Sequence, residues 1–256
     1  MLSVVIPVYN EAKCLSATLL AVGEHLARLT APSAGVGGSA GAPPFEIVVA
    51  DDGSRDESVA LAQALADRLP IRIERLAENR GKGAAVRAGM LAARGDPIFY
   101  FDADLSTPLA EMERFLAALA AGADLVVGTR KHPEARIERW QPPHRVWLGR
   151  CYTRLANALL GLAVSDFTCG FKAFRAAAAR EIFTRGRLDR WSFDAEILFL
   201  ARHLGLRLAE LPVRWADRPD SRVRVGSAMV KSFAELLAIR RHARHGDYGP
   251  ERASPR

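Results

Sequence analysis

The chain has 256 residues, 49% hydrophobic and 25% charged, enough for one large domain with its own core and too apolar for a disordered chain. Lysine and arginine (36) outnumber aspartate and glutamate (29), and the formal charge of +7 suits an anionic partner: nucleic acid, a membrane surface or a phosphate-bearing substrate. Three widely spaced cysteines, Cys14, Cys151 and Cys169, with no CxxC or Cys/His ligand spacing, exclude a disulfide framework and a structural zinc site.

The opening MLSVVIPVYNE has no basic leader and turns polar at Tyr9, so no signal peptide is expected. Strand-length apolar runs follow at 4–8, 45–50, 71–76, 97–101 and 125–127. Between them lie segments of helical composition at 11–29, 54–69, 83–94 and 108–121. Ser54 or Asp56 suits the cap of the second helix, and Pro108 suits the first turn of the fourth. This alternation predicts an α/β fold: an open, mostly parallel, Rossmann-like sheet with helices on both faces. The stretch TAPSAGVGGSAGAPP at 30–44 reads as a flexible inserted loop.

Beyond residue 130 the pattern loosens. A basic, proline-containing stretch at 130–150 carries Trp140 and Trp147; helices are expected at 146–161, 173–183 and 194–204, and a strand at 208–213. The longest apolar stretch, 155–164, is too short to span a bilayer, which needs about 20 apolar residues. The expected organisation is one main domain over 1–226, an amphipathic helix over 227–242 and a disordered tail over 243–256. A soluble, intracellular protein is expected.

In an open α/β sheet, ligands bind beyond the carboxyl ends of the strands. Three such ends here are polar or acidic: Pro7-Val8-Tyr9-Asn10-Glu11, Asp51-Asp52-Gly53-Ser54 and Asp102-Ala103-Asp104. Carboxylates gathered on one rim repel one another, and a divalent cation relieves that repulsion. Asp102 and Asp104, leaving the buried run PIFYF, suit one hard cation, Mg²⁺ or Mn²⁺, with coordination positions left for phosphate oxygens. The loop Asn79-Arg80-Gly81-Lys82-Gly83 enters a helix, where glycines, a helix N-terminus and Lys82 favour an anion; it is neither a Walker A loop nor a GxGxxG turn.

The motifs VVIPVYNE, VVADDGS, NRGKG, YFDADLSTP and VVGTR, in that order, resemble the family 2 inverting glycosyltransferases of GT-A fold. DFTCGFK, RWSFDAE and LPVRW extend the likeness to the polyprenyl-phosphate branch, which includes dolichyl-phosphate β-glucosyltransferases and dolichol-phosphate mannose synthases. The resemblance covers roughly residues 3–241. It implies that Pro7, Tyr9, Glu11 and Asp52 hold the base and ribose, with Asp51 also among the nucleotide-sugar residues. Lys82, Asp102, Ala103 and Asp104 would serve the diphosphate and metal, with Arg130 and Arg222 on phosphates. It also sets an acidic residue, Asp194, beside the acceptor. Two departures stand out: Thr168 where the family often has Gln, and Ser221-Arg222 where it has Ser-Lys.

The implied reaction is inverting transfer of a hexose, glucose from UDP-glucose or mannose from GDP-mannose, to a polyprenyl phosphate. The catalytic residues expected are Asp104, Asp194 and Arg130. A phosphate monoester is already largely anionic at pH 7, with a second pKa of about 6, so Asp194 is expected to position cationic side chains rather than to act as an essential base. Arg145, Arg150 and Lys172 are candidates for the acceptor phosphate, Arg being suited to bidentate contact. The 227–241 helix, with Met229, Phe233, Leu236, Leu237 and basic residues, suits peripheral binding at the cytoplasmic face of a membrane, or packing against the domain. Two other function classes compete. A glycosyltransferase acting on a saccharide hydroxyl would need a true base. A basic nucleic-acid-binding module explains the charge but not the acidic strand ends, and no stacking-aromatic motif supports it.

Overall fold

The computed structural model describes residues 1–31, 44–218 and 225–251, with the backbone alone for 225–231. Most of the inserted loop (32–43), Arg222 and the last five residues lie outside the described residues. The first half alternates as its apolar runs predict. Strands β1 (Leu2–Val8), β2 (Phe45–Asp51), β3 (Ile71–Arg75), β4 (Ile98–Phe101) and β5 (Leu125–Thr129) are separated by helices α1 (Leu15–Leu29), α2 (Ser58–Leu65) and α3 (Lys82–Ala92). A 3₁₀ turn (Leu109–Glu111) leads into α4 (Met112–Ala120) before β5.

The second half contributes β6 (Arg136–Arg139), α5 (Pro143–Leu160), β7 (Phe171–Phe174), α6 (Ala176–Arg185), α7 (Phe193–His203), β8 (Leu208–Pro212), β9 (Arg214–Ala216) and α8 (Val225–His245). Seven strands form one sheet in the order β3-β2-β1-β4-β7-β5-β8, and β6 with β9 forms a small second one. All pairings in the large sheet are parallel except those of β7, which runs antiparallel to both β4 and β5. An antiparallel strand starts where its parallel neighbours end. Residues 166–170, just before β7, therefore reach the rim that carries residues 102–104 and 129–130.

Successive strand residues serve opposite layers, as a doubly covered sheet requires. Val5, Val48, Tyr100, Val127 and Phe174 face the layer of α3, α5, α6 and α7. Val4, Ile6, Ile47, Phe99, Phe101 and Phe171 face the layer of α1 and α4. Sequence alone predicts a helix from 173, because FKAFRAAAAR is short, apolar and alanine-rich; the first four of those residues instead fill the gap between β4 and β5. The tail also differs from expectation. Helix α8 continues to His245, and Tyr248 is fully buried against Phe199, His203 and His242. Among the described residues no helix is long and apolar enough to cross a membrane.

Candidate active site at the carboxyl edge of the sheet

The end of β1 is pinned before it reaches the rim. Asn10 adopts φ 57°, and its side-chain oxygen accepts the Arg55 and Asp56 amides at 2.8 and 3.3 Å. Its own amide donates to Ser54 Oγ at 2.9 Å, so Ser54 ties two loops together instead of capping α2. Asp56 accepts the Ser58 amide at the start of α2 (3.0 Å). The Glu11 amide donates to Ser58 Oγ (2.8 Å). Tyr9 is thereby left exposed, with Pro7 and Glu11 half-buried beside it.

The aspartates after β4 form the open part of the rim. Asp102 is half-buried and Asp104 exposed. Leu105, at φ 49°, turns the chain so that its amide returns to the Asp102 carbonyl (3.2 Å), while Asp104 accepts the Ser106 amide (2.9 Å). Burial and the neighbouring Asp102 charge push the Asp104 carboxyl above the usual aspartate range. Asp102 meets Lys82 Nζ at 2.5 Å. Burial opposes the charge on Lys82, but Asp102, Asp194 and Asp104 together hold the ammonium above its ordinary value. Gly170 makes room for this arrangement: a Cβ there would lie 2.2 Å from Asp102 Oδ2. Ala103 is buried, its carbonyl taken by Thr18 Oγ1 at 2.6 Å, so it spaces the two acids and does not itself reach the rim.

These residues fit a divalent cation. Two carboxylates two residues apart face the same recess, which Gly170 and Trp215 also line. Among the described residues no cluster of three or more His, Cys, Asp or Glu side chains could enclose a metal. A cation held by these two carboxylates alone would keep positions for a substrate's oxygens.

The acids after β2 are occupied by the chain itself. Asp51 is fully buried, accepts the Ser54 amide (3.1 Å) and faces Arg75 (3.4 Å). Asp52 accepts Asn79 Nδ2 (2.8 Å) and the amides of Arg80 (2.8 Å) and Gly81 (2.9 Å). Asp52, expected at the base and ribose, and Asp51, expected among the nucleotide-sugar residues, fold the turn and hold the NRGKG loop. The N-terminus of α3, expected to receive an anion, is likewise filled. The Ala84 amide donates to the Asp189 carbonyl (3.1 Å). A Cβ on Gly81 or Gly83 would lie 2.4 Å from Asp189 O or 2.7 Å from Leu188 O. Those glycines admit the chain's own 188–189 segment, and from this loop it is Lys82 that reaches Asp102.

Two ion pairs stand behind the rim. Arg130 holds Asp166 with Nε (2.7 Å) and Nη2 (2.9 Å), gives a further Nη2 bond to Thr168 Oγ1 (2.8 Å), and lies 5.3 Å from the Trp215 ring centre. Burial alone would raise Asp166, but Arg130 and Lys131 hold its carboxyl well below the usual range. The Thr168 departure is thus explained: its short hydroxyl completes the Arg130 fork. Arg130 Nη1 has no hydrogen-bond partner among the described residues. Lys131 donates to Gly149 O (3.1 Å) and Thr153 Oγ1 (2.5 Å) on α5. Its pKa is lowered by burial and by Arg130 and Arg150, against the pull of Asp166. Arg150 is exposed and Arg145 half-buried on that helix.

Lys172, expected at the acceptor phosphate, is fully buried in β7 and cannot serve there. Its ammonium is shared by Asp194 Oδ1 (2.7 Å), Cys169 O (2.5 Å) and the Tyr100 hydroxyl (3.1 Å), and Tyr100 also donates to Asp194. Burial and Asp194 push the Tyr100 hydroxyl well above its usual pKa. The lysine ties β4, the loop before β7 and the start of α7 into one cluster. Sequence reasoning missed Asp166, Gly170 and Trp215; all three lie in motifs it quoted, but burial and partners are properties of the folded chain.

A family model described as Glycosyl transferase family 2 matches residues 3–183. The chain is 35% identical over 233 residues to the dolichyl-phosphate beta-glucosyltransferase of Drosophila melanogaster, covering 87% of this chain and 69% of that protein. It is 33% identical over 250 residues to a dolichyl-phosphate beta-glucosyltransferase of Trichomonas vaginalis, covering 94% and 71%. Among solved structures, glucosyl-3-phosphoglycerate synthase from Mycobacterium tuberculosis, in complex with Mn²⁺, UDP-glucose and phosphoglyceric acid, shares the fold with a TM-score of 0.62. The identity there is 20%, over 98% of this chain and 81% of that one. The family match begins at β1 and runs on through β7, so it takes in the open acids and the Arg130–Asp166 pair behind them; the chain belongs to glycosyl transferase family 2.

Proposed function

We propose that this chain transfers glucose, with inversion, from UDP-glucose to a dolichyl-type polyprenyl phosphate. The observation that carries the proposal is the open pair Asp102 and Asp104 beside Lys82, in a chain about one-third identical to dolichyl-phosphate beta-glucosyltransferases over most of its length. In this reading Asp102 and Asp104 hold Mg²⁺ or Mn²⁺, which neutralises charge developing on the departing diphosphate. Lys82 adds a second positive charge on the same side. Pro7, Tyr9 and Glu11 line the nucleoside side of the site. An acceptor phosphate oxygen attacks the anomeric carbon from the face opposite the diphosphate, forming one C–O bond as the other breaks. Arg130 Nη1 and Arg150 are the cations available to orient that phosphate. Asp194 is occupied by Lys172 and Tyr100, which suits a positioning role, and a dianionic acceptor needs no base.

The acceptor's apolar tail requires contact with a bilayer surface. Trp140, Trp147 and Trp191 are exposed, and on α8 Phe233 and Leu237 are exposed while Leu236 and Ile239 enter the core. Helix α8 thus serves both packing and an outward apolar-basic face that also carries Arg240 and Arg241. Truncation before this helix would remove core residues, so Trp147→Ala with Phe233→Ser is the suitable variant for vesicle flotation. The function is tested by offering labelled UDP-glucose, GDP-mannose and other nucleotide sugars with polyprenyl phosphate and Mn²⁺. Organic-extractable label is expected from UDP-glucose; label from GDP-mannose instead, or from none, overturns the proposal.

A further inference from the structure

The RWSFDAE motif contains a residue that the reaction leaves without a part, Glu196 on α7. It is 2% exposed, yet its carboxylate gathers donors from two separate segments. Oε1 accepts the Tyr248 hydroxyl (2.6 Å) and the Arg187 amide (2.9 Å), and Oε2 accepts the amides of Arg187 (3.0 Å) and Leu188 (2.9 Å). The segment around Tyr248 is held on both sides: Arg185 Nε donates to Tyr248 O (3.0 Å), and His203 Nε2 lies 2.9 Å from Gly249 O.

The turn that Glu196 fixes is the one that packs on the start of α3. Asp189 accepts the Ala84 amide through its carbonyl, and its carboxylate pairs with Arg80 (2.8 Å) and Arg87. Gly81 and Gly83 approach this turn too closely for any side chain, and Lys82 lies between them. We propose that Glu196 and Tyr248 are positioning residues for Lys82. The 247–249 segment fixes Glu196, Glu196 fixes the 187–189 turn, and that turn sets the α3 N-terminus so that Lys82 reaches Asp102. A buried carboxylate with several donors is rigid because losing one donor leaves strong hydrogen-bonding capacity unmet.

This proposal rests on the donor-site reading above, and UDP binding separates the two. Calorimetry of the full chain with UDP and Mn²⁺, well below the unfolding midpoint of every variant, is expected to show binding by the unaltered protein. Tyr248→Phe, which keeps the ring, is expected to bind about 3- to 10-fold more weakly, and Glu196→Gln to follow the same direction. Lys82→Met also weakens binding, and adding Tyr248→Phe to it then changes affinity less than about twofold, because the effect runs through Lys82. A purely structural role would lower the unfolding midpoint without that coupling. Unchanged UDP affinity in Tyr248→Phe, or effects of Tyr248→Phe and Lys82→Met that simply add, overturns the clasp. No UDP binding by the unaltered protein overturns the donor-site reading and the clasp with it.

Discussion

The rim and the layer just behind it carry similar side chains and use them in opposite ways. On the rim, the Asp104 carboxyl is held above its ordinary pKa by desolvation and by Asp102, whose partner is a lysine that is itself partly exposed. Behind it, Asp166, Lys172, Asp194 and Glu196 are buried, and each is bonded by other parts of the chain. Charges that the protein completes internally hold shape, and those it leaves open are available to a ligand.

The sharpest way to break this contrast is to remove an open acid. Asp102→Ala or Asp104→Ala is expected to lower turnover by about 10³-fold while leaving the unfolding midpoint within a few degrees. Retained turnover, or a collapsed midpoint, would erase the distinction. Removing a completed charge should do the reverse. Lys172→Met is expected to cost about 3–5 kcal/mol in urea unfolding, because Asp194 is left buried without its cation. Lys172→Met combined with Asp194→Asn should recover most of that loss and keep turnover within about tenfold. A loss of many orders of magnitude in the double variant would make Asp194 the base instead.

Gly170 sits at the boundary between the two regions. Gly170→Ala should preserve the fold and cost about 10²-fold in turnover, since displacing Asp102 by even an ångström misaligns the diphosphate end of the site. The smallest effect is a titration. Burial and Asp102 raise the Asp104 pKa, so acidification should protonate it at a higher pH than an ordinary aspartate of about 3.9, and metal affinity should fall from that point downward. Carbon NMR of the carboxyl, assigned with Asp104→Asn, checks this; titration at or below the ordinary value would show an acid that does not feel its neighbour.

Much of the rim was legible because its signals are local. Continuous apolar runs marked β1, β2 and β4, and acids directly after a buried strand can lie only at its carboxyl end. The second half resisted for physical reasons. β7 is four residues long, below the length at which periodicity separates strand from helix, and its direction is set by the gap between β4 and β5. Lys172 reads as a surface cation, because nothing beside it announces that helices cover both faces of its strand. Asp51 and Asp52 also accept the amides of the turn and of NRGKG, partners that their place after a strand does not announce. Tyr248 stands among glycines and charges, and its burial depends on a pocket made by Phe199 and His203, more than forty residues earlier in the chain.

The reversed direction of β7 has a cost for any attempt to redesign this enzyme. Asp102 leans on the backbone just before that strand, and Arg130 is clamped by Asp166 and Thr168 a few residues further back. Four residues therefore serve as a shared hinge pin for both halves of the cleft. A one-residue slip there would turn Lys172 into the opposite layer and move the Asp102 and Arg130 sides at once, so in the proposed reaction donor and acceptor preferences could not be tuned separately through this segment.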